Sequence, residues 1–227
     1  MAHVFAMEHR PGKGISWMLE RQPLWADDNA LAIHNWWHLA LFHLDQGQID
    51  AALALFDGPI HGQRSAMTVD LIDASSLLWR LQLRGVDVGE RWRSVADVWR
   101  QVAVPALYAF NDLHAVMAWI GSGDRERSER RIAAQSGQDP ATTGDGAALA
   151  AAVGTPLLRG FDAWGRGEAT AAIESLSRAL PEAQAIGGSQ AQRQVVTLTL
   201  EAAQRAAEPE AAGPPYARKL SVASTAP

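Results

Sequence analysis

The chain has 227 residues, 48% of them hydrophobic, with nine Trp against two Tyr, no Cys and a formal net charge of −5 at pH 7. That length suits one medium domain or two small ones, with a core of useful size. The acidic balance lacks the basic footprint of a nucleic-acid binder, and the absence of Cys excludes disulfides and thiolate chemistry and fits a reducing compartment.

No apolar run reaches the ~18–20 residues that a membrane span requires, so no membrane partner is expected. Residues Met1 to Arg10 lack the basic and long apolar regions of a secretory leader, which makes the cytoplasm the expected location. No extended stretch alternates Val, Ile or Thr with polar residues, so strands are not expected.

In chain order, residues 2–9 are apolar at helical spacing, with Val4, Phe5 and Met7 prominent. Nothing precedes Ala2 to cap this helix, and the pattern reads as one that continues from earlier sequence. Arg10-Pro11-Gly12-Lys13-Gly14 reads as a turn. Ile15, Trp17, Met18 and Leu19 mark a second short helix, closed by Gln22-Pro23. Asp27, Asp28 and Asn29 are N-cap candidates for a helix over about 29–46. Gly47 ends it, and Gln48 to Phe56 form its partner.

Trp36, Leu39-Ala40, His43, Gly47, Ala52 and Phe56 follow the order of the tetratricopeptide repeat: aromatic, Leu-small, bulky, turn Gly, Ala, aromatic. The small residue lets the second helix approach the first, the Gly turns the chain, and the last aromatic fills the space before the next pair. Gly160, Ala163, Gly167, Ala172, Leu176 and Ala179 repeat the order, with helices expected at about 147–165 and 168–186. The helices at 2–9 and 14–21 read as a degenerate third copy.

Between the two matches, helices are expected over Val69–Leu83, over Gly89 to about Val102, and, after a break at Pro105, over Ala106–Trp119. Asp124 to Arg131 mixes both charges and reads as a solvated helix face with i,i+4 pairs. Gln135 to Gly146 reads as a loop, and 188–206 as the last helix. Pro, Ala and Ser then dominate, which divides the chain into a helical repeat domain over 1–207 and a disordered tail over 208–227. Met18, Met67 and Met117 read as packing residues. No nucleophile elbow, P-loop or dinucleotide fingerprint is present.

Several blocks resemble the bacterial branch of the tetratricopeptide-repeat protein 38 family: His34-Asn35-Trp36-Trp37-His38, Asp70-Leu71-Ile72-Asp73 with Leu78-Trp79-Arg80-Leu81, Gly85 to Trp92, Phe110-Asn111-Asp112-Leu113-His114, and Gly187 to Arg193. Ala2-His3-Val4-Phe5 adds a further match. The resemblance runs from about Ala2 to Ala203. It implies an all-α cytosolic repeat protein with no established activity, of which this chain is the C-terminal half. Two departures stand out: the family carries Glu where this chain has Ala6, and Asp where it has Gln194. If those acids belong to a site, it is impaired here.

Polar residues exceed what the repeat requires. His34 and His38 lie one turn apart on one helix face, a spacing that suits a metal or a shared polar ligand. Third-ligand candidates are Asp112, His114, Asp70, Asp73 and His3. Packing between helices is the first reading of the pair, an organic or peptide ligand the second and a metal the third, because the motif lacks the Glu of a zincin. No metal and no cofactor are therefore expected.

Asp70, Asp73, Arg80 and Arg84 read first as surface ion pairs. The sharper alternative is a polar channel shared with Asn111, Asp112 and His114, which interrupt an apolar helix. Arg193, beside the candidate cap Ser189, reads as capping or as a carboxylate or phosphate clamp.

The expected fold is all-α, a short right-handed solenoid of stacked helix pairs. The leading functional expectation is a non-enzymatic module that binds a peptide or partner protein on its concave face through His34, Asn35, His38, Asp73, Asn111, Asp112, His114 and Arg193. The alternative is a small-ligand protein or enzyme, with His as general base and Arg193 as anion clamp. A third reading is a truncated copy without independent function. The apolar face of the first helix also predicts self-association, and light scattering at rising concentration should show mass above the monomer; a monomer at every concentration would refute it.

Overall fold

The computed structural model describes residues 1–27, 29–102, 108–137 and 145–208. Among these residues every regular element is helical. We number the α-helices α1 (Ala2–Met7), α2 (Pro11–Glu20), α3 (Ala32–Asp45), α4 (Ile49–Leu55), α5 (Thr68–Leu83), α6 (Arg91–Gln101), α7 (Ala109–Ser122), α8 (Arg125–Ser136), α9 (Asp145–Leu149), α10 (Thr155–Gly165), α11 (Ala169–Ala179) and α12 (Gln190–Ala207). Single π-helical turns follow α4 (Phe56–Ile60) and α9 (Ala150–Gly154), and a 3₁₀ segment follows α11 (Leu180–Ile186). No described helix is long and apolar enough to cross a membrane. Asp28, the expected break at Pro105, the middle of the expected Gln135–Gly146 loop and residues 209–227 of the expected tail lie outside the described residues.

Both repeat matches fall on helix pairs, α3–α4 and α10–α11. Gly47 and Gly167, their two turn positions, have φ of +71° and +76°, a left-handed backbone that only Gly adopts without strain. The small positions act as expected: Ala40 and Ala52 are fully buried, and a Cβ on Gly160 would come within 2.5 Å of Leu176 Cδ2. Such close approach is what lets the two helices of a pair pack along their length.

Three local expectations are corrected. Pro11 to Gly14 are not a turn but the first turn of α2, because a Pro at the helix start gives up no intrahelical hydrogen bond. Gly14 then lies against Phe42, whose ring a Cβ would meet at 2.5 Å. Met67 is exposed rather than packed, since it sits just before α5, whereas Met18 and Met117 are buried. The charged run on α8 is also not wholly solvated. Glu126 pairs with Arg130 at 3.0 Å on the surface, but Arg131 turns inward to 3.3 Å from Asp112 Oδ1.

The helices pack largely on their chain neighbours, and one main apolar core runs through α3, α5, α6, α7, α10, α11 and α12. A smaller cluster joins α1 and α2 to α3 through Ala2, Met18, Trp25, Leu39 and Phe42. The longest return in the chain is that of α12, which lies on α5 as well as on α10 and α11. Thr199 Oγ1 accepts a 2.9 Å hydrogen bond there from the buried Trp79 indole and donates to Val195 O at 2.6 Å. Thr199→Val keeps the shape and leaves the indole N–H unpaired, which should cost about 1–3 kcal/mol of folding stability in a urea melt.

Candidate functional site

α5 passes through the middle of the protein, and its polar residues are not at the surface. Asp73 has no exposure and Arg80 is 2% exposed, so the reading of these residues as surface ion pairs is overturned. The cause is the return of α12 across this face. Only Arg84, at the end of α5, makes an exposed pair, 3.3 Å from Asp45.

Asp73 is held from both sides. The His34 ring bonds to its Oδ2 through Nδ1 at 2.7 Å, and Gln192 Nε2 donates to its Oδ1 at 3.3 Å. Gln192 is itself fixed, because it forms a reciprocal capping box with Ser189 at the start of α12. Burial pushes the Asp73 carboxyl above its ordinary range, against the pull of the His34 hydrogen bond. Burial likewise opposes charge on His34, but the bond and charge of Asp73 outweigh it and raise the imidazole.

With Nδ1 committed to Asp73, His34 is left with Nε2 as its free nitrogen. His38, one turn along α3, has its ring 4.7 Å from that of His34 and 4.4 Å from that of His3 on α1, both edge-on. One nitrogen from each of the three rings lies within 4.8 Å of the others. His38 is 1% exposed, and neither of its ring nitrogens has a hydrogen-bond partner. Burial and then the neighbouring His34, His3 and Arg80 lower its pKa to about 3, so it is neutral at physiological pH. Trp37 backs the group, its ring stacked on His34 at 5.3 Å and edge-on to His38 at 4.9 Å.

His3 and His38 also line a cleft of about 240 Å³ between α1, α3 and the first turns of α12. Leu41, Phe42 and Met7 give it an apolar side, and Asp45, Gln190 and Gln194 a polar one. Ala6 and Gln194, the two departures from the acidic pattern, lie at opposite ends of the sequence and both line this cleft.

Arg80 on α5 donates to Ser76 O at 3.1 Å, to Ser76 Oγ and to the carbonyl of Ala191, a cleft residue, with its guanidinium 5.6 Å from the Trp37 ring centre. Burial lowers its pKa to about 9, which leaves it charged at neutral pH.

The other expected site residues do not join this group. His114 is fully buried on α7, its Nδ1 donating to Phe110 O at 2.7 Å. Asp112 faces Arg131 on α8, and burial raises its carboxyl to about 7 against that guanidinium. Arg193 donates to the carbonyls of Gly187 and Gly188, closing the loop before α12. Asn35 and Asn111 are half-buried. The structure thus brings together His34, His38 and Asp73 and places Asn111, Asp112, His114 and Arg193 in other surroundings.

Sequence reasoning undervalued Gln192 and Arg80. Arg80 carried a usable signal, since it stands between Leu77-Leu78-Trp79 and Leu81. Gln192 carried none beyond its place in a capping box, and Leu41, Phe42 and Gln190 carried none as cleft residues.

No family model matches the chain, and no solved structure matches it. The class is therefore set by the geometry alone: an all-helical protein with a buried carboxylate–imidazole group at the edge of a cleft.

His114 gives a pH test. Burial lowers its pKa to about 4, with the Arg80 charge adding to the shift, so the folded state resists a proton that the unfolded chain accepts from about pH 6.5. Its contribution is lost as pH falls from about 6.5 to 4. Asp112, raised from 3.8 to about 7, acts with the opposite sign and is common to parent and variant. In urea melts, the stability difference between parent and His114→Leu should shift against the parent across that window and be flat above pH 7.

Proposed function

We propose that the protein is a non-enzymatic binding module of the helical-repeat type, whose paired helices stack as a tetratricopeptide-like right-handed solenoid in the cytoplasm. It binds a peptide or partner protein by taking one side chain into the cleft between α1, α3 and α12. The observation that carries this reading is the cleft itself: about 240 Å³, half apolar and half polar in lining, and built from helices at both ends of the sequence. A space of that size holds one large side chain, with the rest of the peptide running over the surface.

The repeat-like pairs α3–α4 and α10–α11, with their left-handed turn glycines, support the architecture. Membership of the tetratricopeptide-repeat protein 38 family is part of the same proposal, and rests on the sequence blocks already quoted.

A second reading, a small-ligand or catalytic site that uses imidazole as base, draws support from the convergence of His3, His34 and His38. The position of Arg193 on its own loop carbonyls gives no support to an anion clamp.

Gln194 is exposed at the cleft rim, so Gln194→Trp fills the cleft at little cost to folding. Peptides selected from a random library against the parent should lose at least tenfold in affinity for this variant by fluorescence anisotropy. Selected peptides that bind both proteins equally, or a library that yields none, would overturn the reading.

A further inference from the structure

We infer that His3, His34 and His38 form a binding site for a single borderline divalent transition metal of the zinc class, with its remaining coordination position open to the cleft. This goes beyond the binding-module reading and does not depend on what the cleft accepts.

The donor set is the first argument. Three imidazole nitrogens with no carboxylate among them suit zinc, nickel or copper rather than magnesium or calcium, which take oxygen ligands. Among the described residues this is the one group of three or more His, Cys, Asp or Glu whose ligand atoms lie close enough to share an ion. Bonds of about 2.0–2.1 Å to a tetrahedral centre place the nitrogens about 3.4 Å apart. From within 4.8 Å, that asks for ring movements of about 1 Å. His3 is exposed on the short helix α1 and is free to supply most of that movement.

The second argument is the orphaned imidazole. Burying a polar ring nitrogen without a partner is unfavourable, and His38 has no hydrogen-bond partner at either of its two. A cation on one of its nitrogens gives that nitrogen the partner it lacks.

The third is the support behind His34. Metal-binding imidazoles commonly donate their other nitrogen to a carboxylate, which fixes ring orientation and raises ligand basicity. Asp73 is placed to do this at 2.7 Å and is itself held by Gln192. A histidine present only for packing has no need of a buried carboxylate with a second hydrogen-bonded partner behind it.

The fourth is access. His3 and His38 line the cleft, so an ion held by three nitrogens has a route in and a face open to water or to a ligand atom. Three protein ligands with an open position distinguish such a site from a closed structural one.

The test is calorimetric titration of the full chain with Zn²⁺, and separately with Mg²⁺, after dialysis against chelator. One Zn²⁺ per chain at micromolar affinity or tighter is expected, with no heat from Mg²⁺. His3→Ala, at an exposed position with little bearing on folding, should weaken Zn²⁺ at least tenfold, and His38→Ala more. Asp73→Asn should lose 10–100-fold while keeping all three rings, with its thermal melt recorded alongside to show that it is folded. His43→Ala, elsewhere on α3, should bind as the parent does. Failure of the parent to bind Zn²⁺, or binding retained in both His3→Ala and His38→Ala, would overturn the inference. Neither result bears on the peptide test, which is run in the presence of chelator.

Discussion

A carboxylate with no access to water must be satisfied inside the protein, and Asp73 is satisfied by groups from two other helices. His34 comes from α3 and Gln192 from α12, so one buried side chain on α5 fixes the relative placement of three elements. Taking His34 away would leave a buried carboxylate without its ionic partner, which typically costs about 3–5 kcal/mol. The arrangement therefore specifies where α12 lies more sharply than apolar packing can, because apolar contacts tolerate sliding and a bidentate polar contact does not.

Arg80 extends the same logic one turn pair further along α5. Its guanidinium finds carbonyl and hydroxyl oxygens rather than a carboxylate, and the face of Trp37 completes its surroundings. The positive charge has an effect at a distance: it helps hold both His38 and His114 in their neutral forms. Two histidines in separate surroundings are thus kept uncharged by one buried cation, in addition to their own burial. Neutral imidazole is the form in which a ring nitrogen offers a lone pair.

Much of the helical framework was legible in the sequence because it rests on local rules. The turn glycines at 47 and 167 and the small residues at 40, 52 and 160 announced two helix pairs, and the structure places helices there. Pro11 misled because a Pro–Gly run signals a turn until the helix start that tolerates it is recognised.

The site was legible in part. His34, His38 and Asp73 stood out as polar residues in excess of packing needs, and His3 as a third ligand candidate. The separation of Asp112, His114 and Arg193 from them was not readable, because helical spacing gives the face a residue occupies and not the neighbour that face meets. Asp73 and Arg80 meet α12, more than a hundred residues further along the chain, and no periodicity on α5 reports it.

The capping box at Ser189 and Gln192 gives the order of assembly a particular importance. The same Gln192 side chain closes the first turn of α12 and braces the carboxylate behind His34. Synthesis proceeds from the N-terminus, so α1, α3 and α5 are all made before α12 exists. During that interval the Asp73 face of α5 is uncovered, the cleft lacks one wall, and the carboxylate that pairs with His34 is without Gln192. The group has its final geometry only once α12 is in place, since Gln192 and one wall of the cleft come from that helix. A partly made chain thus carries every histidine of the group while lacking the brace that holds one of them in register, which separates possession of the residues from possession of the site.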